Sequence, residues 1–152
     1  MPWVVEYTEE LVARQSISPS AGFAVGKNYR FDIVDGVAVG RVWMRPDLDR
    51  ESGARCAEEC VDVFERLGQM SRVLVRGLVF DLRDAPRSWG PMTQTALERC
   101  CAAWEATSRP LAIAVSHDPL QLLHVRLLVK EQAPTQGRTF TDIEKARSYA
   151  SR

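Results

Sequence analysis

Residues 72–82, RVLVRGLVFDL, constrain the fold of this chain more than any other stretch. The run is apolar and rich in β-branched residues, it is shorter than an ordinary helix, and Asp84-Ala85-Pro86 ends it. Such a run is a strand buried inside a sheet. Its acidic end, Asp81 and Asp84, is expected at the sheet's carboxyl edge.

The flanking segments supply the rest of that sheet. YRFDIV and VAVGRVWM alternate around Asp35-Gly36, which predicts an antiparallel hairpin joined by a tight turn. In ARCAEECVDVFERLG, Cys56, Cys60, Val63, Phe64 and Leu67 recur at helical spacing before Gly68. After APRSWG, Pro91 suits a first helical position, and Ala96, Leu97, Cys100, Cys101 and Trp104 form one apolar face. LAIAVS predicts a second buried strand, and LQLLHVRLLVKEQ a third helix that is apolar almost all round. RTF after Gly137 suits a short edge strand, and Thr141 with Glu144 gives a capping-box pattern for a last helix.

The predicted order is β-β-α-β-α-β-α-β-α. It implies an α/β fold with a mixed, mostly parallel sheet, an antiparallel opening strand pair and helices packed on it through right-handed crossovers. Residues 1–28 begin with a short apolar stretch, Trp3 to Val5, run into the polar TEELVARQ and end in the Ser/Pro/Gly-rich SISPSAGFAVGKN, and they are expected to form an N-terminal extension with a flexible joint. The compact domain is expected over 29–152.

With 152 residues, one domain with a real core is expected. Twenty basic and twenty acidic residues cancel, which removes the electrostatic footprint of a nucleic-acid binder. Seventeen of the basic residues are Arg, a bias that genome composition explains as readily as function. The start MPWVVEYTEELV lacks a basic region before a long apolar core, and no run is long enough to span a bilayer. A cytoplasmic location is expected. Cys56, Cys60, Cys100 and Cys101 fall inside helix-like segments, as reduced core thiols do, and their spacing is not that of a structural zinc site. No phosphate-loop or dinucleotide fingerprint is present, so neither a cofactor nor a metal is expected.

Three places resemble the STAS domain, the fold of bacterial anti-sigma-factor antagonists and of sulfate-transporter tails. They are VFDLRDAP, similar to the family's strand ending in Asp-Leu; Ser88-Trp89-Gly90, similar to its Asp-Ser-X-Gly helix start; and FTDIEKARSYA, similar to its closing phenylalanine and last helix. The resemblance covers roughly residues 29–150. It implies a non-enzymatic regulatory or scaffold module, with Ser88 as a phosphorylation candidate and a regulatory kinase, an anti-sigma-like factor or a scaffold as protein partner. The sequence departs from the pattern at Arg87, where the family has Asp, at Trp89, which replaces a small residue, and in a shorter loop.

A helix start favours a phosphate, and Arg87 beside Ser88 adds a charge-assisted hydrogen bond. The plainer alternative is that Ser88 or Gly90 caps the helix. Partner contact is expected at Arg87, Ser88, Trp89, Gly90 and Met92, and on the third helix at Leu123 and Leu127, whose apolar excess exceeds what one sheet face covers. Burial of that excess under residues 1–28 is the competing expectation. The opening strands or the third helix also suit pairing with a second copy, so a homodimer stays open. Two other classes remain: a carrier of small apolar ligands or lipids with the third helix lining its pocket, and a small hydrolase built on Ser88, His117 and Asp81 or Asp118. Trp104 and His124 are expected in packed positions, and Trp3 and Trp43 suit the core equally well.

Overall fold

A computed structural model describes residues 22–152, and before them the backbone of two short strands, β1 (Glu6–Tyr7) and β2 (Glu10–Leu11), which pair antiparallel with each other. The remainder of 1–21, including Trp3, lies outside the described residues.

The main sheet has six strands in the order β3-β4-β5-β6-β7-β8. They are β3 (Ala24–Val25), β4 (Tyr29–Val34), β5 (Val37–Trp43), β6 (Gly77–Asp84), β7 (Leu111–Ala114) and β8 (Gly137–Phe140). The pairs β3-β4 and β4-β5 are antiparallel, and the three remaining pairs are parallel. Four helices intervene: α1 (Arg50–Gly68), α2 (Pro91–Glu105), α3 (Pro119–Gln132) and α4 (Ile143–Ala150). From β4 onward this is the expected mixed α/β order. The β4-β5 turn places Asp35 at φ 52° and Gly36 at φ 80°, the left-handed pair that matches the twist of a two-residue hairpin.

Period-two alternation sorts the strands between two cores. Phe31, Leu78, Phe80, Leu82, Leu111 and Ile113 face α1, α2 and α3, while Val79, Ala112 and Ala114 face α4 through Ala146, Tyr149 and Ala150. Phe64 on α1 is the hub of the larger core, edge-on to Phe80 at 5.0 Å and to Trp104 at 6.3 Å. Trp104 is fully buried, as its place on the apolar stripe requires. The opposite face of β4, β5 and the end of β6 carries ion pairs instead, among them Arg30–Asp32 and Arg41–Asp84.

Four boundaries differ from expectation, each for a local reason. The sheet begins at Ala24 rather than Tyr29, because β3 pairs with β4 and Phe23 and Ala24 pack on the core. The first helix starts at Arg50 because Asp49 accepts the N–H of Ser52 as its N-cap. The central strand starts at Gly77, not near Val73: the Ser71 carbonyl accepts from the N–H groups of Leu74 and Val75, which turns the chain and leaves Val73 85% exposed. The last helix is capped by Asp142, which accepts from Glu144 and Lys145, and not by Thr141.

Candidate functional site

Parallel strands in an open sheet deliver their loops to one edge, the carboxyl edge, where binding sites form. Here β5, β6 and β7 release three loops toward the starts of α1, α2 and α3. The loop 85–90 leads into α2, whose N-cap is Gly90, in extended conformation and without a side-chain acceptor, followed by Pro91. Gly90 therefore holds the capping position and Ser88 does not cap. Ser88 is exposed and makes no hydrogen bond among the described residues. A Cβ on Gly90 would lie 3.3 Å from Arg50 Nη1, so the starts of α1 and α2 converge.

Two side chains lock this loop to α3. Arg87 Nη1 donates to Asp118 Oδ2 at 3.0 Å, while Asp118 Oδ1 accepts from the N–H groups of Leu120 and Gln121 as the N-cap of α3. The guanidinium, then those amides, hold the Asp118 carboxyl below the usual carboxylate range. Trp89 is half-buried; its indole N–H donates to Gln94 Oε1, and its ring meets His124 of α3 edge-on at 6.0 Å. His124 thus sits in packing, as expected.

Gln121 is the residue that sequence reasoning missed. It is fully buried: Nε2 donates to the Leu82 carbonyl at 2.9 Å, and Oε1 accepts from Ser116 N at 2.7 Å and Ser116 Oγ at 3.0 Å. One amide thereby fixes the end of β6 to the loop after β7. Its signal was a lone uncharged polar residue at the apolar start of α3, a position where burial requires a partner on every polar atom.

Two concavities flank the loop. The first is a cavity of about 350 Å³ beneath loop 85–90, between the first turns of α1 and α2 and the ends of β5 and β6, lined among others by Gly53, Cys56, Phe80, Leu82, Leu97 and Trp89. No α3 residue lines it, so a pocket lined by the third helix is not what the fold provides. The second is a groove of about 410 Å³ between the start of α2 and α3, lined by Trp89, Gly90, Pro91, Gln94, His124, Leu127, Leu128 and Glu131. Trp89 and Gly90 belong to both. Beside the groove, Leu120, Leu123 (54% exposed) and Leu127 (48%) form a row along α3, and Met92 on α2 is 61% exposed. Val125, Leu128 and Val129 occupy the buried face of α3. Of the expected contact residues, Trp89, Gly90 and Leu127 meet in the groove, Met92 and Leu123 lie exposed on its two helices, and Arg87 and Ser88 stand on the adjoining loop.

The four cysteines are free and buried. Burial raises every one of their thiols, Cys101 to about 12, so they are neutral and inert at neutral pH. α1 and α2 pack together on one face of the sheet, which places both cysteine pairs on that face. Among the described residues no group of three or more His, Cys, Asp or Glu is placed to hold a metal ion. Ser88, His117 and Asp118 are not joined by hydrogen bonds: Asp118 is engaged with Arg87 and its own helix start, and His117 is exposed. Asp81 is buried at 3% exposure within β6, held by the Arg83 guanidinium at 2.8 Å, rather than emerging at the edge as Asp84 does. No described helix is long and apolar enough to cross a membrane. No family model matches the chain, and no curated protein or solved structure matches it.

Proposed function

We propose that this chain is a non-enzymatic regulatory or scaffold module of the cytoplasm that docks a protein partner on loop 85–90 and the exposed side of α3. The observation that carries this reading is the row Leu120, Leu123 and Leu127. These leucines are spaced i, i+3, i+7 on a helix whose other face already fills the core, and they lie beside a groove closed on its far side by Trp89. Leucines exposed at that spacing next to a groove match the way one helix face meets a partner segment, and an indole is a common anchor.

Control by phosphorylation at Ser88 belongs to the same proposal. Among the described residues the exposed Ser88 hydroxyl makes no hydrogen bond, and Arg87, its neighbour, is held by Asp118 alone. A phosphate on Ser88 competes with Asp118 for that guanidinium and so alters the loop that walls the groove. The resemblance to STAS domains, with a regulatory kinase, an anti-sigma-like factor or a scaffold as partner, supports the same surface. A second copy of the chain is the other occupant to distinguish.

The test is affinity capture from the native cytoplasm with the wild type, the double variant Leu123→Asp/Leu127→Asp, Ser88→Ala and Ser88→Asp, reading bound proteins and the intact mass of each bait. The expected result is a partner held by the wild type and lost from the double variant, with retention that differs between the two Ser88 variants and a phosphate-sized mass on the wild type. Identical partners on all four baits would overturn the reading.

A further inference from the structure

Protein interiors pack to crystal density, with few voids larger than a water molecule. A pocket of about 350 Å³ that is open to solvent at its mouth, by Met44, Asp49, Arg50 and Ser88, and whose inner end reaches into an otherwise filled aromatic core is therefore a feature to explain. Its origin lies in α1. At positions 53, 56, 57 and 60, the i, i+3, i+4, i+7 stripe that faces the sheet, the helix carries Gly53, Cys56, Ala57 and Cys60, all small. One turn later the same face carries Phe64 and Leu67, which fill the space completely. A Cβ built on Gly53 meets nothing within 4 Å, whereas at Gly40 it would strike the Phe31 ring at 2.2 Å and at Gly77 the Ala150 carbonyl at 2.0 Å. The other two glycines admit a neighbour in close contact; Gly53 leaves a space.

We infer that this cavity is a binding site for a compact, uncharged, largely apolar small molecule, with Trp89 as the wall shared between that site and the α2/α3 groove. The volume falls within the range of small-molecule pockets, and apolar cavities smaller than this one take up apolar guests. Phe80, Leu82, Leu97 and the neutral thiols of Cys56 and Cys60 line its inner part. Of the three charged side chains at its rim, Arg45 pairs with Asp47 and donates to the Lys27 carbonyl, Asp49 caps α1, and Arg50 stands exposed at the mouth beside Gly90. The Ser88 and Thr93 hydroxyls and the Arg50 guanidinium are left at the rim for one polar atom of the guest.

The experiment titrates the full-length protein with N-phenyl-1-naphthylamine, an uncharged probe that fluoresces in apolar surroundings, following probe emission excited through tryptophan. Gly53→Leu and Ala57→Leu, which place side chains on the helix face that lines the cavity, are measured alongside, with thermal melting to establish that each is folded. The expected result is saturable one-to-one binding by the wild type, with energy transfer from Trp43 and Trp89, weakened at least tenfold in a variant that melts cooperatively. Absence of saturable binding to the folded wild type, or equal binding by both folded variants, would overturn the inference. Neither outcome bears on partner capture by α3, which is read without the probe.

Discussion

Replacing Gly53 by Ala is predicted to stabilise the protein, and the size of the gain follows from the site. Gly53 lies inside α1, in the turn after the Asp49 cap, and its N–H already donates to the Asp49 carbonyl at 3.0 Å. Its backbone is helical, so an alanine adopts it without strain. The new Cβ meets no atom within 4 Å, so neither clash nor new packing enters. What remains is the helix propensity difference, about 0.8–1.0 kcal/mol in favour of alanine. For a chain of this length that corresponds to a rise in Tm of about 2–4 °C. The assay is urea denaturation followed by circular dichroism, with Gly77→Ala as the opposing control. At Gly77 the same added methyl would lie 2.0 Å from the Ala150 carbonyl, so backbone must move and stability must fall. A Gly53→Ala protein that is less stable than the wild type would refute the reasoning, because it would mean that the space beside α1 is already filled.

Arg109→Met should lower stability by about 2–4 kcal/mol in the same assay, since the buried guanidinium donates to the carbonyls of Leu67, Gly68, Met70 and Val75 and the variant leaves them unpaired. Gln121→Leu should cost about 2 kcal/mol and speed amide exchange at Ser116, whose N–H loses its acceptor, while exchange in α4 stays unchanged. A bulky, charged thiol reagent, unlike the uncharged guests the pocket suits, should find the native cysteines unreactive at mildly alkaline pH and all four reactive once guanidinium chloride unfolds the chain. Asp118, lowered in the folded state, stabilises the fold above the ordinary carboxylate range, and that contribution is lost as pH falls through its depressed pKa. Arg87→Ala should move the Asp118 carboxyl titration, followed by carbon NMR, upward toward the usual value while the two amide contacts keep it partly lowered.

Much of the architecture was legible because it rests on periodicity. The β-β-α-β-α-β-α-β-α order follows from apolar spacing, from Asp35-Gly36 and from Pro91, all signals carried by neighbouring residues. What stayed hidden depends on residues distant in sequence. Val73 and Leu74 look like strand and are turn, because hydrogen bonds back to Ser71 outweigh their β-branched and apolar character. Asp49 starts α1 five residues before the apolar pattern becomes visible. Arg87 was read as a phosphate neighbour, yet its partner is Asp118, thirty-one residues away. The exposed leucines of α3 were legible as an apolar excess, whereas the cavity was not. Small residues at 53, 56, 57 and 60 read as ordinary helix packing until the strand opposite them is in place.

Partner docking on α3 is tested most directly by site-specific photo-crosslinking in the native cytoplasm, with a benzophenone amino acid at position 123 and, as the opposite-face control, at the exposed position 147 of α4. The expected result is a discrete crosslinked protein at 123, absent at 147 and lost when Leu127→Asp is added. Equal capture at both positions, or capture at 147 alone, would contradict it.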